Sequence, residues 1–351
     1  MKKIITKIAY ISLLSILSIS IAGCSKKVTF NTHTQEQQDF LSGSYKYISK
    51  FAKGAEEKSK PVPVKLSWNE FGDNNYDFYL SKDKDFTNIE RNYQTNSNYV
   101  DINNLEINTN YYWYVTSNNQ TSKVSEFVID TLAPRSLDIE GLTNARDLGG
   151  YKTINGKYTN QGLIYRTSRL NENETTDNLI TEQGILEMKN NLKIKSELDL
   201  RKVSNNENGG ITSSPLGKDV NYFSLPMSSG GNIILLNKNS LKDAFKILGN
   251  KDNYPLVIHC SIGTDRTGMI CFLINALLEV GEEELYKDYL YSNFGNIGGS
   301  RSFSTIDTYI KTINQYGKGS TLKEKTISYL TSDDINVDIK DIESLIEIMT
   351  K

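Results

Sequence analysis

An apolar strand signal, Leu256-Val257-Ile258, runs through the short polar stretch 259–266 directly into an apolar helix signal, Thr267 to Val280. A strand buried on both faces that feeds a helix apolar on every side packs only between layers. A second apolar strand signal ends the stretch Leu192 to Leu200, and two or three amphipathic helices follow from Glu282 to the C-terminus. From about Pro134 onward the chain therefore reads as an α/β domain, a small central sheet with helices on both sides.

Upstream the period changes from helical to two. Val62, Val64, Leu66 and Trp68 alternate, as do Tyr76, Phe78 and Leu80, then Tyr111, Trp113 and Val115, then Phe127 and Ile129. Asn74-Asn75 and Asn103-Asn104 mark turns between these runs. Alternation interrupted by turn residues predicts half-buried antiparallel strands, and several within about 75 residues predict a small all-β sandwich. Leu105-x3-Thr109-x-Tyr111 resembles the tyrosine corner of fibronectin type III domains, with Ile107 where proline is usual. Thr131 to Arg135 reads as the linker.

The N-terminus carries a targeting pattern. Lys2, Lys3 and Lys7 precede an apolar run, Ile8 to Ile21, shorter than the ~20 residues a membrane span needs. The run ends in Ile21-Ala22-Gly23-Cys24, which resembles the lipobox of bacterial lipoproteins. The resemblance implies a signal peptide over 1–23 and lipidation at Cys24. It also implies an extracytoplasmic chain, lipid-anchored to the bacterial cell membrane. The polar stretch from Ser25 to about Lys60 is expected to be a spacer, with at most a short helix. The resulting division is 1–23 signal peptide, 24–59 lipidated cysteine and spacer, 60–133 sandwich and 134–351 α/β domain.

Composition excludes several classes. A net charge of −2 gives no general attraction to nucleic acid. Three cysteines in 351 residues do not make a disulfide scaffold. His33 and His259 are the two histidines, so a histidine-based metal centre is not expected, and no cofactor is called for.

The segment that carries chemistry is His259-Cys260-Ser261-Ile262-Gly263-Thr264-Asp265-Arg266-Thr267-Gly268. A tight loop between a strand and a helix N-terminus gathers backbone N–H groups into a cup for an anion. Cys260 at the start of the cup would have its thiolate stabilised by the same groups. That thiolate can attack phosphorus and split one hydrolysis into two easier steps. Arg266, six residues on, can fold back to grip phosphoryl oxygens with its planar fork. Gly263 supplies a positive φ, and Thr267 can hydrogen-bond the sulfur.

This string, with Asn144-Ala145-Arg146-Asp147-Leu148-Gly149-Gly150-Tyr151, Gly162-Leu163-Ile164-Tyr165-Arg166-Thr167-Ser168, Asp199-Leu200-Arg201 and Asp288-Tyr289-Leu290-Tyr291-Ser292-Asn293, resembles the protein tyrosine phosphatase superfamily. Within it, the chain is similar to bacterial tyrosine-protein phosphatases that also accept phosphoinositides. The resemblance covers residues 137 to 351. It implies Cys260 as nucleophile and Arg266 as phosphate clamp, with residues 261–266 as the phosphate loop. It implies Asp265 as general acid; Asp199 competes, its other reading being a structural pair with Arg201. Supporting roles fall to His259, Thr267, Arg146, Asp147, Arg166 and Arg201. His259 is expected to brace the loop through its ring and not to transfer protons. Arg146, Arg166, Arg169 and Arg201 are candidates to line the cleft, against a plainer reading as ion pairs. Thr264 stands where the family commonly has lysine, which weakens the case for a polyphosphorylated substrate.

The implied reaction is hydrolysis of phosphate monoesters through a phosphocysteine, with phosphotyrosine the first substrate class and phosphoinositides or inositol phosphates the second. A binding protein with a vestigial phosphatase domain is the reading from another class. Cys271, on the apolar helix, reads as a buried small hydrophobe, and the segment from Gly295 to Ser304 as a mobile lid or a plain connection. The number of subunits is left open.

Overall fold

The period-two stretches become strands in the computed structural model, which describes residues 27–172, 179–204 and 206–350. Cys24 and the signal sequence before it lie outside the described residues.

The chain enters through β1 (Val28–Phe30) and α1 (Gln35–Ser42), then β2 (Val64–Ser67), β3 (Tyr76–Ser81), β4 (Arg91–Thr95), β5 (Tyr99–Ile102), β6 (Asn110–Ser117), β7 (Gln120–Thr121) and β8 (Ser125–Ile129). Among the described residues these form two sheets, one ordered β1-β8-β6-β3-β4 with β7 on β6, the other β2-β5. Tyr76, Phe78 and Leu80 of β3 and Tyr111, Trp113 and Val115 of β6 point into a shared apolar core with Val64 and Leu66 of β2. The alternating residues are thus the inward face of the sheets. The Tyr111 hydroxyl accepts the Glu106 amide at 2.9 Å, closing the turn ahead of β6.

The stretch expected to be a spacer is folded against both halves of the chain. β1 pairs in parallel with β8, Val28 opposite Phe127. Thr34 and Gln37 form a capping box at the start of α1. Phe40, Leu41, Ile48 and Ala52 then join the main core of the α/β domain. Their burial, invisible in a polar composition, is what removes the segment from solvent. The linker is also tied down: Arg135 donates to the Asn104 carbonyl at 2.5 Å and to Asp147 Oδ2 at 3.0 Å.

Beyond the linker come β9 (Arg146–Asp147), β10 (Ile164–Thr167), α2 (Glu182–Leu186), β11 (Ser196–Asp199), β12 (Asn221–Ser224), α3 (Ile233–Leu236), α4 (Lys238–Leu248), β13 (Leu256–His259) and α5 (Asp265–Leu277). Helices α6 (Glu282–Tyr291), α7 (Ser304–Tyr316), α8 (Leu322–Leu330) and α9 (Ile339–Thr350) complete the chain. The sheet order is β12-β11-β13-β10-β9, with only β9 antiparallel. Leu256, Ile258 and Leu198 pack on one face with α5 and the C-terminal helices, while Val257 and Tyr165 pack on the other with Met188 and Leu192. Helix α5 is buried from Arg266 to Leu277, which explains why its sequence carries no polar stripe. No helix among the described residues is long and apolar enough to cross a membrane.

Candidate active site

Strand β13 lies between β10 and β11, so its C-terminal end opens at the middle of the sheet. The chain there leaves the strand at Cys260, turns through 261–264 and enters α5 at Asp265. Gly263 makes the turn at φ +68°, and a Cβ there would lie 2.2 Å from the Thr167 carbonyl oxygen. No other residue fits so close an approach.

The loop is pinned from outside. Asn144, itself at φ +60°, donates through Nδ2 to the Ile262 carbonyl at 3.0 Å and to Thr264 Oγ1 at 3.1 Å. Arg166 donates to the Gly263 carbonyl at 2.8 Å, and the Ser261 carbonyl accepts the Arg169 amide at 3.2 Å. With its carbonyls drawn outward onto these donors, the loop is left with its N–H side for an anion.

Cys260 is only 2% exposed and free, at the floor of the loop. Burial alone would push its thiol up; Arg266, and hydrogen bonds from Thr267 and the Ile262 amide, outweigh burial and hold it below the ordinary thiol value. The Thr267 hydroxyl is buried beside Cys260 and helps to lower its thiol. Cys271, buried on α5, is pushed up to about 11 by burial, which Arg166 and Arg146 offset only in part.

Arg266 is aimed by four acceptors. Nη1 reaches the Leu200 and Met227 carbonyls at 3.3 and 3.4 Å, and Nη2 reaches Ser261 Oγ at 3.1 Å and Glu207 Oε1 at 2.5 Å. Glu207 also accepts from Ser261 Oγ and the Lys202 amide. Burial pushes its carboxyl up, but Arg266 and these donors hold it below the usual range.

The two candidate acids sit in different surroundings. Asp265 is at the loop mouth, 30% exposed, in a two-point ion pair with Arg301. Asp199 is fully buried; its oxygens accept the Arg201 amide and guanidinium at 2.7–2.9 Å and the Tyr222 hydroxyl at 2.9 Å. A substrate cannot meet a carboxylate enclosed in this way, and Asp199 falls to the structural role.

His259 is buried beneath the loop. Nε2 lies 2.8 Å from Glu197 Oε1, and Nδ1 lies 3.3 Å from the Cys260 carbonyl. Burial would lower the imidazole, but Asp199 and Glu197 raise it above its ordinary value. The ring bridges Glu197 and the Cys260 carbonyl and so braces the peptide of Cys260. Glu197, Asp199 and His259 lie close enough together to ligate a metal ion. Their oxygens, however, already accept from Ser214, His259, Arg201 and Tyr222, so the cluster is satisfied as an ion-pair network.

The buried arginines do not line the cleft. Arg146 donates to Asp288 and to Asn144, Arg166 donates to Asp288 Oδ2 at 2.6 Å, and Arg201 is held by Asp199 and Asn171. All three have no exposed surface, so buried pairing overrides the expectation that they face substrate. Asp288 also accepts from Tyr151 at 3.0 Å. Asp147 is likewise remote in role, accepting Arg135 and the Gly149 and Gly162 amides. Arg169 is partly exposed beside Ser261 and pairs with Glu172. Glu207, Glu197, Asp288 and Arg301 were not singled out by sequence reasoning. Of these, only Asp288 stands in a quoted motif.

Residues 137–315, just over half of the 351, match the sequence profile of the tyrosine phosphatase family. The chain belongs to that family. It is a phosphoric monoester hydrolase of the cysteine type. Two solved structures are similar to the phosphatase. The core catalytic domain of the PP-IP phosphatase SIW14 from S. cerevisiae, in complex with citrate, is 20% identical with a TM-score of 0.32, over 43% of this chain and 83% of that one. A second structure of the Siw14 catalytic core is 19% identical with a TM-score of 0.29, over 42% and 79%. No curated protein matches the phosphatase.

Proposed function

We propose that the enzyme hydrolyses phosphotyrosine-type monoesters, with Cys260 attacking phosphorus, Arg266 holding the phosphoryl oxygens and Asp265 protonating the leaving oxygen. The observation that carries this reading is Cys260 buried at the floor of the strand-to-helix loop that leads into Arg266. Thiolate and guanidinium there form a nucleophile and a charge-matched fork without any further group.

The cup is equipped for one phosphate. Thr264 is buried and bonded to Asn144, and Arg146, Arg166 and Arg201 are consumed in ion pairs. That balance favours a monoester with an uncharged leaving group over a polyphosphorylated head group. Phosphate release from a phosphotyrosine peptide, a phosphoserine peptide and a set of phosphoinositides tests it. The highest kcat/KM is expected for the phosphotyrosine peptide, and a preference for a phosphoinositide overturns the assignment.

The lipid anchor at Cys24 and the extracytoplasmic location form part of the same proposal. β1 begins at Val28, so the four intervening steps span at most ~14 Å and would hold the enzyme close to the bilayer. Cys24→Ser is expected to move the protein from the membrane fraction to the soluble fraction. The tyrosine-corner bond of Tyr111 supports a fibronectin type III assignment for the sandwich.

A further inference from the structure

Between α6 and α7, Arg301 stands at the mouth of the phosphate loop, a quarter exposed. Its guanidinium forks onto Asp265, Nε to Oδ1 at 3.0 Å and Nη2 to Oδ2 at 3.1 Å. The Tyr289 hydroxyl donates to the same Oδ1 at 2.9 Å. A carboxylate has about four lone-pair sites. Two donors fill Oδ1 and one occupies Oδ2, so the open position is on Oδ2. A two-point fork also fixes the plane of the carboxylate.

Arg301 is itself fixed by a distant part of the chain. Asn293 Oδ1 accepts its amide at 2.6 Å, Asn293 Nδ2 donates to its carbonyl at 3.1 Å, and Nη1 donates to the Gly299 carbonyl at 3.0 Å. The Gly54 carbonyl in turn accepts the Ile297 and Gly299 amides, and the Gly54 amide donates to Asn293 O at 2.7 Å. Gly54 adopts φ +69°, and a Cβ there would lie 2.5 Å from the Gly299 oxygen. The segment read as a mobile lid or a plain connection is thus clamped by Gly54, which lies between β1 and β2 in the chain.

We propose that Arg301 is a positioning residue that leaves Oδ2 of Asp265 as the proton-delivering oxygen, and that Gly54 keeps Arg301 in place. The proposal rests on Asp265 being the general acid. As the sulfur–phosphorus bond forms and the phosphorus–oxygen bond breaks, the proton on Oδ2 passes to the leaving oxygen. Asp265, now a carboxylate, takes a proton from the water that attacks the phosphocysteine. That step releases phosphate and the thiolate.

The test compares the full chain with Arg301→Gln, Arg301→Lys, Asp265→Asn, the Arg301→Gln/Asp265→Asn double variant and Gly54→Ala. Two substrates are used: p-nitrophenyl phosphate, whose leaving group needs little protonation, and phenyl phosphate, whose leaving group needs it. Arg301→Gln is expected to lower kcat on phenyl phosphate by ~10²-fold and on p-nitrophenyl phosphate by only a few-fold. Arg301→Lys should not rescue it, because lysine lacks the fork. The double variant should be no worse than Asp265→Asn alone, and Gly54→Ala should shift the ratio in the same direction. Equal losses on both substrates, or losses that multiply with Asp265→Asn, overturn the proposal. If Asp265→Asn itself spares phenyl phosphate, the general-acid assignment fails and the proposal with it. Cys260-dependent turnover of p-nitrophenyl phosphate would still stand in that case.

Discussion

Glu207 Oε1 lies 2.5 Å from Arg266 Nη2, a contact that fixes the Arg266 guanidinium from outside the segment that carries it. Ser261 Oγ shares both partners, at 3.1 Å from Arg266 and 3.2 Å from Glu207. A fork held at several points is pre-set for a phosphate, and misplacing such a group by about 1 Å can cost ~10²-fold. Glu207→Ala is therefore expected to lower kcat/KM by ~10²-fold. An unaltered kcat/KM would remove Glu207 from the catalytic account.

Asp199 separates structure from chemistry. Its pair with Arg201 is fully buried, and breaking such a pair from one side costs ~3–5 kcal/mol. Asp199→Asn should lower the urea midpoint accordingly. It should also reduce turnover by the same factor on good and poor leaving groups, because Asp199 donates no proton to substrate. A selective loss on the poor leaving group would return Asp199 to the role of acid.

How far these roles are legible in sequence follows from where each residue sits. Cys260 and Arg266 stand in one short string between a strand and a helix, and the local spacing is enough to bring them together. The alternating runs of β3 and β6 show their inward face for the same reason. Glu207 and Arg301 lie in polar, glycine-rich connections, where periodicity says nothing about direction. Glu197 sits inside an apolar strand, 62 positions from the His259 it meets. The arginines mark the sharpest limit: Arg146 and Arg166 read equally as cleft-lining residues or ion pairs until Asp288, more than 120 positions away, is seen to pair with both in the interior. Gly54 meets its partners around 293–299 only through the tertiary fold.

His33 ties the N-terminal segment to the linker through Nε2, 2.8 Å from the Pro134 carbonyl oxygen, with Nδ1 buried and without a partner. Burial lowers its imidazole from 6.5 to about 4, partly offset by that hydrogen bond. Between those two values the unfolded chain binds a proton that the folded chain does not, so stability falls as pH drops from 6.5 to about 4. The loss is on the order of 3 kcal/mol. His33→Gln keeps a donor for Pro134 without the titration. Over this range its thermal midpoint should fall less steeply than that of the native chain, and parallel curves would contradict the assignment.

The central claim is that Cys260 carries the phosphoryl group. The measurement is phosphate release from a phosphotyrosine peptide by the native chain and by Cys260→Ser, with circular dichroism confirming that both are folded. The account predicts that the serine variant loses turnover by at least ~10³-fold, since the hydroxyl has no comparable thiolate to offer. A folded Cys260→Ser protein that still releases phosphate at a rate near that of the native chain would contradict it.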